Sequence, residues 1–568
     1  IVGVSSIDYM SAYKKFMFTT PENMKLDTIA QLELSEKKLD YSEVGNLHLL
    51  YLTDFPKFMD YNIQDTNLVW RLDEKLGLLE MIVGLAYYAC VNYNDAFGQV
   101  RMWDSIIHNR LLPQGIVVPQ KKHNHKESAY TGAFVKDVAP AMYKYVVSFD
   151  LDSLYPMLTC HYNISPETII EGMRSPAQIE EMIEGHWTND TEHSMTANGH
   201  FFKKDKIGFV PELMQEIFDD RRVFKGKMLE EQQRLETLTD EDERWESQKL
   251  ISKYHNNQLN RKILLNSAYG AMGSPYFRYF DVRLAEAITA SGQLSIRWIQ
   301  RKINEYLNDL LESKDKDYII AVDTDSVYLN LEDLVTKVYP DGAETGTVIK
   351  MLDKLGETKL KPFIDECYEE LAEQQNSFQQ KMNMTREVIA DKGIWVAKKR
   401  YALNVHNSEG VQYDEPKMKI MGLEVVRSST PMVCRAALKE SIRLMLNGEN
   451  DELIEYIAEF KAKWQTLPVQ DVGRPVGLNG LDKYYDNVQI FGKKTPIHVK
   501  GALLFNHHLQ KKGLTKKYET IKEGDKVKFV YLKEPNPIQN EVISIGNLLP
   551  DEFDLEKYID YDRQLSQT

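Results

Sequence analysis

The sequence predicts a multidomain α+β protein, and three observations predict it. Its 568 residues amount to about three to five domains at roughly 100–200 residues each, and 43% hydrophobic residues suffice for several cores. Two β-type runs, Tyr145–Phe149 and the hairpin-like YIIAVDTDSVYLNL at 318–331, deliver aspartates at a strand end and a turn. Between them, residues 211–262 are charged throughout and hold no helix breaker apart from Pro211 and Gly226. That predicts two long antiparallel helices joined by a polar turn near Thr237–Glu243.

Taken in chain order, residues 1 to about 60 carry no clear period. Residues 60–95 read as two helices, with Ile63, Leu68, Val69 and Leu72 at helical spacing. The most apolar stretch, Leu76–Tyr93, is interrupted by Glu80 and is too short for the ~20 residues of a membrane span, so it predicts a buried helix in a soluble protein. Pro113, Gly115, Pro119, Gly132 and Pro140 make 112–140 loop-rich. Beyond 423, short helices and strands alternate toward a lysine-rich end. The four cysteines form no CxxC pair, which excludes a zinc ribbon and a disulfide framework and suits a reducing compartment. No signal peptide is evident.

The chemistry is carried by carboxylates at strand ends. Asp150 stands in DLDSLYP, Asp323 and Asp325 in DTDS. A carboxylate ending an apolar strand is costly to desolvate unless a cation or donors meet it. Such oxygen ligands suit Mg²⁺, which takes one or two carboxylates plus phosphate oxygens. One such turn alone more often caps a loop, but three further features converge. Lys262, Asn266 and Tyr269 share a face of the second long helix, in KILLNSAYG, and Arg221 and Lys225 share a face of the first. Opposed basic faces suit a triphosphate. KKRYALNV, at 398–405, sets three cations beside an aromatic residue on a β-type run, as a nucleic-acid backbone would require.

These segments, in this order, resemble the family B DNA polymerases. DLDSLYP is similar to the family's first palm motif, KILLNSAYG to its fingers motif, DTDS to its second palm motif and KKRY to its primer-holding segment. Within the family the replicative enzymes of T-even-type tailed bacteriophages are the group resembled, because YNISPETI, FRYFDVRLAEAIT and KIMGLE match it outside the catalytic motifs. The resemblance implies a right-hand polymerase acting in the cytoplasm of an infected bacterium on primer-template DNA and deoxynucleoside triphosphates. It has an antiparallel-sheet palm, two-helix fingers, a mostly helical thumb and a remnant of a ribonuclease H-like exonuclease. The implied segments are exonuclease remnant 1–79, connecting segment 80–122, palm 123–207 and 275–422, fingers 208–274 and thumb 423–568.

It further implies roles. Asp150 and Asp325, with the Leu151 carbonyl, would hold two Mg²⁺ ions (Mn²⁺ as substitute), with Asp323 beside them. Ser153 and Leu154 would offer backbone amides to the triphosphate, and Arg221, Lys225, Lys262 and Asn266 would bind its phosphates. Tyr155 would exclude a 2′-hydroxyl, and Tyr269 would line the nascent base pair. Lys399, with Arg400 and Tyr401, would hold the primer. Glu387 matches an accessory palm carboxylate, although Thr385 stands where the family has an acid. Ala321-Val322 departs from the usual Tyr-Gly and is expected to support the hairpin.

Tyr61 and Asp65, in YNIQD, match the third exonuclease motif, but residues 1–60 lack the D-x-E pair a working nuclease needs. Proofreading is therefore expected to be incomplete. Either a second polypeptide carries the amino-terminal and exonuclease parts, or the sequence is a portion of a longer one; its start at Ile1 favours the latter. No clamp-binding peptide is seen at DRQLSQT, though a sliding clamp is a candidate partner. A non-catalytic relic is disfavoured because every metal and triphosphate position is filled. A reverse transcriptase or RNA polymerase is disfavoured by NSAYG, KKRY and Tyr155. The net charge of -15 conceals basic stretches: residues 392–435 carry a net +4 and 491–533 a net +8.

Overall fold

A computed structural model describes residues 3–17, 21–41, 43–44, 47–122, 130–546 and 548–567. The loop-rich stretch expected at 112–140 is thus described apart from 123–129, and Ile1 lies outside the described residues. The chain divides into two compact units, Ile1–Phe16 with Gly77–Lys419 and Met17–Leu76 with Ile420–Thr568.

The first unit is built on strands β1 (Ala141–Leu151), β2 (Ile319–Asp323), β3 (Ser326–Asn330), β4 (Met384–Ala397), β5 (Arg400–Ser408) and β6 (Val411–Met421). They form one sheet in the order β2-β3-β1-β4-β5-β6. Consecutive residues Val146, Val147, Ser148 and Phe149 of β1 are all wholly buried. Both faces of the strand are covered, which is why its sequence is an apolar run rather than an alternation. Antiparallel pairing sets Asp150 opposite Ser326 of β3 and Thr385 of β4, with a β-bulge between Val147 and Phe149 on the β4 side. Bulges re-aim side chains beside functional sites.

Four helices frame the sheet's chemistry: α1 (Leu154–Tyr162), α2 (Phe209–Thr237), α3 (Glu241–Met272) and α4 (Val282–Leu311). The two long helices expected from 211–262 are α2 and α3. Asp240 caps α3, accepting from the Asp242 and Glu243 amides, and three acidic residues fill its first turn, where the helix dipole favours negative charge. Arg261 of α3 pairs with Asp220 of α2 at 3.3 Å and lies 4.3 Å over the Phe224 ring. The two helices are thereby held in register. The two helices expected in 60–95 are Phe55–Leu76 and Leu78–Ala89; the latter is the buried apolar stretch, with Leu78, Met81, Ile82 and Leu85 inside. No helix among the described residues is long and apolar enough to cross a membrane.

One expectation is corrected. KKRYALNV does not lie wholly on a strand: Lys398 and Lys399 form the tight turn between β4 and β5, with Lys399 at φ 59°, and the strand starts at Arg400. Tight hairpin turns usually announce themselves by Asn or Gly. A lysine pair gives no such signal.

In the second unit, β7 (Arg474–Gly477), β8 (Lys526–Tyr531) and β9 (Val542–Ile545) form a three-stranded sheet covered by α5 (Ile497–Lys511). Gly501 marks the closest approach, since a Cβ there would stand 2.5 Å from Ser544 Oγ and 2.7 Å from Ser544 N. Trp464, Leu504, Phe505, Ile543 and Phe553 belong to the core beneath.

Candidate active site

Two strands and a hairpin turn deliver the carboxylates. Asp150 ends β1, Asp323 ends β2, and Asp325 follows at the tip of the β2–β3 hairpin, where the Leu151 amide donates to the Asp325 carbonyl at 2.9 Å. Three non-glycine residues at this edge sit at positive φ: Ser153 at 50°, Thr324 at 62° and Lys399 at 59°. Such strain gathers at functional sites because surrounding packing must enforce it.

The acids repel one another. Burial, then the charges of Asp325, Glu387 and Asp152, push Asp150 up to about 8, with Lys419 opposing. Burial, with Asp323 and Glu387, pushes Asp325 up to about 6 against the pull of Lys399. Lys399 Nζ meets Asp323 Oδ1 at 2.9 Å, and Lys419 Nζ meets Glu387 Oε1 at 2.6 Å. Glu387 lies near enough to both aspartates to raise their pKa values. Thr385 stands directly opposite Asp150 in the sheet. An acid at that position would have added a further negative charge beside Asp150.

Among the described residues, no three His, Cys, Asp or Glu side chains form a group that could hold a metal ion. Two half-buried carboxylates, each raised by burial and by neighbouring acids, nevertheless match the donor set of Mg²⁺, which completes its shell with water and phosphate oxygens. A bound cation would relieve the repulsion that raises both pKa values. The residues fit the ion.

Ser153 turns the chain from β1 into α1, and Leu154 and Tyr155 open the helix. The Tyr155 ring lies 4.7 Å from that of Tyr269, whose hydroxyl donates to Tyr130 at 3.2 Å. Gly292 of α4 leaves room for Tyr155, for an added Cβ would stand 3.4 Å from its ring. Arg221 Nη1 reaches Ser153 Oγ at 3.4 Å, tying the basic face of α2 to the strand–helix turn. Lys225 lies 3.8 Å from Glu409. Lys262 and Asn266 are exposed one turn apart on α3.

Tyr401, expected at the primer, is only 5% exposed. Its hydroxyl bonds to that of Tyr328 at 2.8 Å, and its ring stacks on Trp395. It supports the hairpin carrying Lys399 from below. Arg400 opens β5 beside it, and Ala321 packs into the same cluster while Val322 is buried.

Tyr61 and Asp65 lie on the Phe55–Leu76 helix of the second unit. Lys38 Nζ meets Asp65 Oδ2 at 2.7 Å and sits 4.7 Å over the Tyr61 ring. Burial lowers the Lys38 pKa, but Asp65 and Tyr61 more than offset this and raise it overall. The charge of Asp65 is answered by a lysine.

Sequence reasoning missed Lys419 and Tyr130 as contributors. Each meets its partner from far along the chain, and no local pattern links them. A further piece was equally hidden: the stretch around Val135 bridges to Asp323, and Phe134 accepts from the Thr324 amide.

The chain is 35% identical to the DNA-directed DNA polymerase of Enterobacteria phage T4 over 612 aligned positions, spanning 99% of this chain and 67% of that protein. It is 36% identical to that of Escherichia phage RB69, spanning 100% of this chain and 68% of that protein. DNA polymerase II of Escherichia coli is 26% identical across 90% of this chain. Residues 98–564 match the family as a whole, and the chain belongs to DNA polymerase family B.

Proposed function

We propose that this chain extends a DNA primer along a template, adding deoxynucleotides to the 3′-hydroxyl with release of pyrophosphate. The observation that carries the reading is the half-buried pair Asp150 and Asp325, each pushed up by burial and neighbouring acids, with Arg221 of α2 reaching Ser153 in the turn that follows Asp150. Perturbed carboxylates of this kind mark sites built for a reaction. Asp150, Asp325 and the Leu151 carbonyl would hold the metal ions. Bound there, Mg²⁺, or Mn²⁺ in its place, would activate the primer hydroxyl and neutralise charge on the leaving oxygen. Arg221, Lys225, Lys262 and Asn266 would align the triphosphate, with Arg221 giving forked contacts and the lysines point charges. The Ser153 and Leu154 amides, at the start of α1, would add donors to it. Tyr155 and Tyr269 would enclose the sugar and base, and Tyr155 would collide with a 2′-hydroxyl. Lys399 would hold the primer end, positioned by Tyr401 and its own bond to Asp323.

The test is primer extension with Mg²⁺. Asp150→Asn and Asp325→Asn should each lower extension by about 10³-fold or more, as loss of transition-state stabilisation, with primer-template binding retained. In chelator, Asp150→Asn should also melt at a higher temperature, because it removes a repelled carboxylate. Undiminished extension by either variant refutes the reading.

A further inference from the structure

Helix α2 borders more than the triphosphate-binding face. Gln215, Phe218, Asp219 and Arg222 form a stripe along it that walls a cleft of about 520 Å³. The opposite wall is the segment 380–383 leading into β4, and Asp152 closes one side. No residue of α3 lines the cleft, so it lies apart from Tyr269, Lys262 and Asn266.

The charges of this cleft are unbalanced. Four cations line it, Arg221, Arg222, Lys225 and Lys381, against the two acids Asp152 and Asp219. Both acids are already engaged by neighbouring amides: Asn383 Nδ2 donates to Asp152 Oδ2 at 2.7 Å, and Gln215 Nε2 to Asp219 Oδ2 at 3.0 Å. The side chains of Arg222 and Lys381 have no hydrogen bond or ion pair among the described residues. Arg221 Nε is buried without a hydrogen-bond partner among the described residues. Unneutralised cations converging on a cleft fit a small polyanion.

The proposed reaction produces one. The primer oxygen bonds to the α-phosphorus as the bond from that phosphorus to the bridging oxygen breaks. The electron pair leaves on the β-phosphate, the hydroxyl proton passes to solvent, and the β and γ groups depart as inorganic pyrophosphate. They start against Arg221 and Lys225, which also line the cleft. We propose that this cleft is the pyrophosphate subsite, with Arg222 and Lys381 as the cations that receive the departing product and, in reverse, admit it. The inference rests on the polymerase reading.

The experiment compares the wild-type chain with Arg222→Gln, Lys381→Gln, the double variant, Arg222→Lys and, as a surface-charge control on α2, Lys227→Gln. Primer extension gives KM for deoxynucleotide, pyrophosphorolysis gives KM for pyrophosphate, and calorimetry with pyrophosphate and Mg²⁺ gives binding without turnover. The double variant should raise the pyrophosphate KM and Kd by about tenfold or more while the deoxynucleotide KM stays within about twofold. Arg222→Lys should recover part of the loss. Unchanged pyrophosphate binding, a parallel rise in deoxynucleotide KM, or an equal effect of Lys227→Gln overturns the assignment. Should the wild-type chain extend no primer, the polymerase reading falls, and the calorimetric comparison still decides the cleft.

Discussion

Acid should loosen helix α1 through one residue, His161. Its side chain is 1% exposed; Nδ1 accepts from the Lys381 amide at 3.2 Å, and Nε2 lies 2.7 Å from Ser377 Oγ. With Nδ1 accepting, the neutral ring carries its proton on Nε2 and donates to Ser377. A second proton would have to enter against the Lys381 N–H. Burial accordingly pushes the imidazole from 6.5 down to about 3. The unfolded chain binds a proton here below about pH 6.5 and the folded chain does not. The stabilisation is therefore complete above about pH 7 and declines as pH falls toward 3. At 1.36 kcal/mol per pH unit, the loss between 6.5 and 5 is about 2 kcal/mol. Hydrogen exchange of the peptide covering 154–162, at pH 8 and pH 5 with intrinsic rates corrected, reads it directly. Wild-type protection should fall about 30-fold further than that of His161→Gln, whose side chain does not titrate. Asp150 and Asp325 gain protons over the same range in both proteins, so their contribution cancels. Equal losses in the two proteins refute the argument.

Two further outcomes follow from named contacts. Tyr155→Ala opens the space that Tyr155 and Tyr269 enclose, so ribonucleotide incorporation relative to deoxynucleotide should rise at least about tenfold, equivalent to ~1.4 kcal/mol of lost discrimination; unchanged selectivity in single-nucleotide extension rules out a steric role. Gly501→Ala drives a Cβ to 2.7 Å from the Ser544 backbone nitrogen, which cannot move aside like a side-chain tip. It should destabilise the second unit by about 1–3 kcal/mol, seen as a lower melting transition in calorimetry, and an unchanged transition contradicts the close approach of α5 to β9.

The most legible parts of the chain were those whose signal is local. The apolar run into Asp150 and the DTDS turn read as a strand end and a hairpin, because burial on both faces leaves a continuous apolar run and a two-residue tip leaves a break in it. The α2–α3 pair was legible from its length without breakers and from the polar turn near Thr237–Glu243. Lys398-Lys399 was misread because a tight turn made of lysines lacks the residues that usually mark one. Tyr401 looked like a nucleic-acid contact because an aromatic beside cations suits that role. Its burial depends on Trp395 and Tyr328, which only strand pairing brings to it.

By itself the sequence determined which residue types were present and their order: aspartates at strand ends, cations at helical spacing, an aromatic in the DLDSLYP segment. That was enough for the family and for the expected roles. Only the tertiary structure decided the electrostatics. Asp150 reaches about 8 because β1, β3 and β4 bring Asp325 and Glu387 beside it and exclude water. Asp65 is answered by Lys38, and Arg222 and Lys381, across a cleft from each other, have no ion pair among the described residues. Charge interaction depends on distance and on the surrounding dielectric. A linear sequence specifies neither until the strands have paired.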